Sequence, residues 1–227
     1  MSISQLNGPE GPPDSAVQNR LTAAGLVLAT LFFSGSFALQ SHSQAKTAKA
    51  FPETFAYLEV TLTVGTLMAI VSITCLLVCQ QCIATDHAWY KSKRAWFTVA
   101  TIAQYLSISQ AMSAGLTELV FGLKHAFQAV YLANMLAFAA TLVWIVLLLI
   151  APVHTLRSWW PHLYKGERVM VGLGYALLLV FVLSSNGLIY LLQDGDPSTF
   201  GSVLKAICLQ LIQPMMWGNP WAHPVTI

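Results

Sequence analysis

The chain has 227 residues, of which 56% are hydrophobic and 9% are charged. A soluble domain carries about 25% charged residues, so this composition excludes an ordinary soluble globular protein. The net charge is +2 and the basic residues form no continuous stripe, which excludes a nucleic-acid partner.

In chain order, the sequence begins with a polar, turn-rich segment, residues 1–19, that we expect to be a disordered cytosolic tail. Five runs almost free of charge follow, each of roughly 20 residues or more. At about 1.5 Å per residue, such a run crosses the hydrocarbon core of a bilayer, which is about 30 Å thick. The five runs are residues 21–40, 55–79, 95–120, 127–151 and 169–192.

A sixth apolar run, residues 200–217, is shorter, contains Lys205 and meets Pro214 before its end. The remaining residues, 218–227, form a C-terminal tail. The predicted fold class is an all-α integral membrane protein, with a polytopic helical bundle over residues 20–217. We expect five transmembrane helices and a sixth, short C-terminal helix.

The distribution of Lys and Arg predicts the orientation of the bundle. Seven of these residues fall on one predicted side, and three fall on the other. The seven are Arg20, Lys91, Lys93, Arg94, Arg157, Lys165 and Arg168, and the three are Lys46, Lys49 and Lys124. Positively charged loops resist translocation, so the N-terminus is predicted to face the cytosol. The sequence does not indicate which membrane this is.

Polar residues fall inside the predicted helices, where an unsatisfied polar group is costly. In the third run, Gln104, Ser107, Ala111, Gly115 and Glu118 recur every three or four residues and so share one helix face. One interpretation is the wall of a ligand-binding cavity. The ligand-binding candidates are then Gln104, Ser107, Asn134 and Asn186. The other interpretation, which we favour, is close helix packing along a face of small and polar residues.

Two carboxylates, Glu59 and Glu118, are the candidate catalytic residues. A carboxylic acid in an apolar site can keep its proton near neutral pH and donate it to a substrate. Each also lies within a few residues of a predicted helix end, where contact with water or lipid headgroups is the simpler explanation.

Three cysteines, Cys75, Cys79 and Cys82, have the C-x3-C-x2-C spacing of some iron–sulfur sites, but the motif begins inside an apolar membrane run. Cys79 and Cys82 lie where that run meets the predicted cytosolic surface, which favours reversible palmitoylation as a lipidation site. The alternative is that they are ordinary buried thiols. The histidines lie in predicted loops or tails without zinc-like spacing, so we predict no metal site and no cofactor.

Three functions are compatible with these features, and no hydrolase, nucleotide-binding or zinc-protease motif selects among them. The first is a non-catalytic accessory or scaffolding subunit, with a polar intramembrane face for partner helices or a small lipophilic ligand. The second is a small integral-membrane enzyme that uses an intramembrane Glu as a general acid on a lipid or isoprenoid substrate, in a cyclase-like reaction. The third is a carrier or channel subunit for a small solute. The expected partners are the lipid bilayer and either a membrane protein or a lipophilic small molecule.

Overall fold

The computed structural model describes residues 11–43, 52–82, 92–125 and 128–194. Within these ranges the secondary structure is helical and includes no strand. The first four helices are α1, Asp14–Ser43, α2, Pro52–Gln81, α3, Lys93–His125, and α4, Val130–Ile145. A π-helical turn, Val146–Ile150, then leads into α5, Ala151–Trp159, and a 3-10 turn, Trp160–His162, precedes α6, Lys165–Asp194.

Four of these helical segments are long and apolar enough to cross a membrane. They are Asp14–Gly35, Leu58–Gln81, Val130–His162 and Lys165–Ser185. The described structure therefore confirms the predicted all-α class, and these four helices are compatible with a membrane protein. The predicted count of five or six spans is not reached among the described residues. The sixth, residues 200–217, lies outside them.

The predicted third span corresponds to α3, which lies at the centre of the bundle and contacts α1, α2, α4, α5 and α6. Its buried polar residues are Thr98, Thr101, Gln104, Ser107, Ser109, Gln110 and Ser113. A helix covered by other helices needs less apolar surface than one that faces lipid. Its inward-facing polar residues therefore explain why α3 is absent from the four strongly apolar segments.

The first helix begins earlier than the sequence pattern indicated. Residues 14–19, expected in a disordered tail, form the first turns of α1, so that expectation was wrong for them. Ala16 and Val17 are buried in the core, and the Ala16 N–H bonds to the Pro13 carbonyl at 2.9 Å. Asp14 in the first turn also interacts favourably with the positive end of the helix dipole.

The third helix likewise begins before the predicted boundary. The Ser92 hydroxyl accepts a hydrogen bond from the Ala95 N–H at 3.2 Å, which is the geometry of a helix N-cap. Lys93 and Arg94, counted as loop residues in the sequence, therefore belong to the first turn of α3.

A π-helical turn lets the fourth span continue past a proline. The Ala151 N–H bonds to the Val146 carbonyl, five residues back. Pro152 follows directly, has no N–H to donate, and would crowd the carbonyl of a regular preceding turn. The wider turn accommodates Pro152, so the helical path extends to His162 rather than ending at the predicted residue 151.

Most of the described cations gather at one end of the bundle, which we call the basic end. It contains Lys93 and Arg94 at the start of α3, Arg157 near the end of α5, and Lys165 and Arg168 at the start of α6. The Lys93 ammonium forms an ion pair at 2.6 Å with Asp14 of α1. The Arg94 guanidinium donates a hydrogen bond to the His162 carbonyl at 2.8 Å. These contacts bring the ends of α1, α3, α5 and α6 together.

Candidate functional site

The polar face of α3 is bonded to α2 by hydrogen bonds from side chain to backbone. The Ser107 hydroxyl on α3 donates to the Gly65 carbonyl on α2 at 2.8 Å. In the opposite direction, the Ser72 hydroxyl on α2 donates to the Ala100 carbonyl on α3 at 2.9 Å. Both serines are fully buried, so these bonds form away from lipid and water. We call this contact the α2–α3 seam.

The helices approach each other closely at the α2–α3 seam because Gly65 has no side chain. A Cβ atom at Gly65 would lie 3.0 Å from the Gln110 Cβ and 3.2 Å from a Leu31 methyl carbon. Gln110 belongs to α3 and Leu31 belongs to α1, so three helices meet at this glycine. Small residues allow this close approach of helices in a membrane.

Arg20 lies on α1, is half-buried and contacts α3. Its guanidinium donates a hydrogen bond to the Gln104 side-chain oxygen at 3.0 Å and lies 5.6 Å from the centre of the Tyr105 ring. Gln104 is 2% exposed, so the positive charge reaches a buried partner. A half-buried cation held by a neutral amide and an aromatic face indicates a specific structural or functional role.

Among the other predicted site residues, the structure describes the side chains of Glu59 and Asn134. Glu59 is exposed near the start of α2. Asn134 on α4 is half-buried, and its side-chain oxygen is buried with no hydrogen-bond partner among the described residues. Glu118 lies on α3 and Asn186 on α6, but their side chains are outside the described residues. Of the predicted set, Gln104 and Ser107 share one face, and they bond to α1 and α2 respectively.

The two predicted lipidation sites differ in accessibility. Cys79 is fully buried, and its thiol donates a hydrogen bond to the Lys93 carbonyl at 3.3 Å. This geometry favours the alternative interpretation of Cys79 as a core thiol. Cys82 is half-buried just beyond the end of α2, so its position is more open than that of Cys79.

A second candidate site, which the sequence analysis did not identify, is a pocket at the basic end. Its volume is about 650 Å³. It lies between the start of α3 and the connection from α5 to α6, and is lined by Arg94, Pro161, His162, Leu163, Tyr164, Lys165 and Arg168. We call it the basic pocket.

Local structure fixes two guanidinium groups around this pocket. The Arg168 side chain donates to the Trp160 carbonyl at 3.1 Å, and its charge lies 5.6 Å from the centre of the Trp160 ring. Arg94 reaches the His162 carbonyl from α3. The Glu167 carboxylate accepts the Tyr164 N–H at 2.7 Å, which completes the first turn of α6.

The sequence contained a weak signal for the basic pocket. Pro161 directly follows Trp159 and Trp160, and the cations Lys165 and Arg168 come within the next seven residues. In the sequence analysis these residues served to predict topology. Arg94, which completes the pocket, is more than 60 residues earlier, so the pocket becomes visible in the folded chain.

Comparison of the chain with protein-family models, with curated proteins and with solved structures returns no match. The described part of the chain contains two candidate sites. One is the α2–α3 seam with Arg20 beside it, where polar groups bond to one another across helices. The other is the basic pocket, where positive charges border an open volume.

Proposed function

We propose that this chain is a non-catalytic, multi-pass membrane protein, an accessory or scaffolding subunit that holds a transmembrane helix of a partner protein against α6. Its N-terminus and its basic end face the cytosol, in keeping with the distribution of Lys and Arg. The partner recognises α6 by close helix packing rather than by a polar pocket.

The observation that carries this proposal is the outward position of two small residues on α6. A Cβ atom at Gly172 would meet no atom within 4 Å, and Ala176 one turn later is exposed. The neighbouring Leu173 and Leu177 are 58% and 69% exposed. A small residue followed four positions later by another lets a second helix approach closely in lipid, and the flanking leucines add packing area.

The position of α6 in the bundle supports the same interpretation. In the most apolar 18-residue stretch of Lys165–Ser185, 11% of the residues are buried within the chain, against 50% in the corresponding stretch of Leu58–Gln81. The inward side of α6 packs on α3, where a Cβ atom at Gly174 would lie 3.6 Å from Val99. One side of α6 is thus held by the bundle, and no other described part of the chain covers the side with Gly172.

The interior of the bundle gives less support to the enzyme and carrier alternatives. The α3 hydroxyl and amide groups that would line a chamber at Ser107 and Gln104 are bonded to α2 and α1. Glu59, a candidate acid, is exposed rather than enclosed in an apolar site. These positions favour a structural role for the polar face.

The test is to purify the full-length, affinity-tagged chain from its native membrane in mild detergent. We expect a stoichiometric membrane-protein partner. Replacement Gly172→Leu fills the outward surface and is expected to remove the partner without unfolding the chain. The matched control is Gly25→Leu on α1, where an added Cβ also meets nothing within 4 Å.

Three results would contradict the proposal. The chain could be recovered as a lone monomer, or as a homodimer without another protein. Alternatively, Gly172→Leu could retain the partner as well as Gly25→Leu does, which would show that the α6 face is not the contact.

A further inference from the structure

The basic pocket brings together three cationic side chains from two distant parts of the chain. Arg94 comes from the first turn of α3, and Lys165 and Arg168 come from the first turn of α6. The short 3-10 turn at Trp160–His162 places them around an open volume of about 650 Å³. A pocket of that size can admit a small anionic group.

The three charges have no carboxylate partner within ion-pair distance in the part of the chain that the structure describes. Arg94 and Arg168 each donate to a neutral backbone carbonyl, of His162 and Trp160 respectively. An arginine has five N–H donors, so each guanidinium keeps donors for a ligand. Lys165 is exposed and donates no hydrogen bond to the described residues.

The nearest carboxylate along the helix does not neutralise this charge by direct contact. Glu167 is 4% exposed, and one of its oxygens accepts the Tyr164 N–H. Its side chain caps α6 and does not line the pocket. The pocket therefore presents a positive, hydrogen-bond-donating surface.

Aromatic residues near the pocket indicate that this surface lies at the level of lipid headgroups. Tyr164 lines the pocket and is 57% exposed, and Trp160, next to the lining residue Pro161, is 39% exposed. Trp and Tyr rings are enriched where a membrane protein crosses the boundary between hydrocarbon and water. Val169, which is 60% exposed, begins the apolar surface of α6 directly after Arg168.

We propose that the basic pocket binds a phosphate group, supplied by the headgroup of an anionic phospholipid. Guanidinium groups match phosphate oxygens in paired hydrogen bonds, and a lysine adds a mobile charge. Basic pockets between transmembrane helices at the cytosolic end are suited to phosphorylated lipid headgroups. The pocket opens at the depth where such a phosphate lies, and the acyl chains would follow the apolar surface of α6.

The experiment measures lipid binding by the full-length chain in detergent, using native mass spectrometry. The chain is titrated separately with phosphatidylinositol phosphate, phosphatidylglycerol and phosphatidylcholine. We expect the two anionic lipids to be retained at lower concentrations than phosphatidylcholine, and added salt to weaken that retention. A parallel titration with inorganic phosphate as competitor distinguishes a lipid source from a soluble one.

Variants assign the binding to the pocket. Lys165→Gln is the first choice, because Lys165 is exposed and its side chain donates no hydrogen bond to the residues that the structure describes. We expect it to weaken anionic-lipid binding about tenfold, as loss of one charged hydrogen bond does. Arg168→Gln should weaken binding by a similar or larger factor. The matched control is Arg157→Gln, an exposed cation at the same end that does not line the pocket.

The outcomes are distinct. Equal anionic-lipid binding by Lys165→Gln, Arg168→Gln and Arg157→Gln overturns the site, as does equal retention of phosphatidylcholine and the anionic lipids. Full displacement by millimolar inorganic phosphate supports the phosphate site but assigns it to a soluble anion. Lack of displacement together with the loss in Lys165→Gln supports the lipid headgroup. None of these results depends on the partner proposed for α6.

Discussion

At Gly65, α2 lies close to both α1 and α3, and the absence of a side chain determines how tightly the three helices pack. At the same position, the Ser107 hydroxyl donates a hydrogen bond to the Gly65 carbonyl. In lipid, no water would replace that bond, so the glycine and the serine act together. The Arg20 side chain likewise has partners on a neighbouring helix, since its guanidinium contacts Gln104 and Tyr105 of α3.

We expect Gly65→Ala to lower the free energy of unfolding. The new methyl group would lie 3.0 Å from the Gln110 Cβ and 3.2 Å from Leu31, so neighbouring atoms must shift. Overpacking of this kind costs about 1–3 kcal/mol. The measurement is a detergent-unfolding titration of the full-length chain followed by circular dichroism.

The control for that substitution is Gly25→Ala, a glycine within α1 at which an added Cβ meets nothing within 4 Å. We expect Gly25→Ala to be neutral or slightly stabilising, because alanine is the better helix former by about 1 kcal/mol. Equal stabilities of the two variants would show that the three helices do not meet closely at Gly65.

The length of each helix follows from the length of its apolar run, but the residues at which it begins and ends depend on local hydrogen bonds. α2, Pro52–Gln81, follows its apolar run of residues 55–79 closely. α3 and α6 begin at local capping contacts, from the Ser92 hydroxyl and from the Glu167 carboxylate. Such contacts place a helix end more firmly than hydropathy does.

The start of α6 provides a prediction at this scale. Glu167→Ala removes the buried acceptor of the Tyr164 N–H, and loss of a capping contact typically costs about 1 kcal/mol. We expect amide hydrogen exchange over residues 164–168 to become roughly fivefold faster, the factor that corresponds to that energy. The control is Glu167→Gln, whose amide oxygen can still accept the bond. If Glu167→Gln is as damaging as Glu167→Ala, the charge of Glu167 matters rather than the cap.

Sequence patterns predicted the helical class and the apolar segments, because length and hydropathy are local properties. They also identified the face of α3 that carries Gln104 and Ser107, which depends on helical periodicity alone. They did not identify Arg20 as the partner of Gln104, or Arg94 as a neighbour of Arg168. Those pairs join residues on different helices, and their contacts are set by how the helices pack side by side. The early start of α1 has the same cause, since Val17 is helical and buried against the bundle.

For the whole molecule, the basic end determines how the bundle is predicted to sit in its membrane. Lys93, Arg94, Arg157, Lys165 and Arg168 all lie there, although they come from three different helices. An ion pair to Asp14 fixes the start of α1 at the same end. Because clustered positive charge resists translocation, this end should remain in the cytosol.

Cysteine labelling tests that orientation in intact cells. Arg157→Cys places a thiol at the basic end, and Gln128→Cys places one between α3 and α4 at the opposite end; both positions are exposed. A membrane-impermeant maleimide should label Gln128→Cys in intact cells, and should label Arg157→Cys after the membrane is permeabilised. Cys75 and Cys79 are buried but Cys82 is half-buried, so the unsubstituted chain measures the background labelling that is subtracted from each variant. Labelling of Arg157→Cys in intact cells would show that the orientation is the opposite of the predicted one. The basic pocket would then face the headgroups of the outer leaflet, where anionic phospholipids are scarcer.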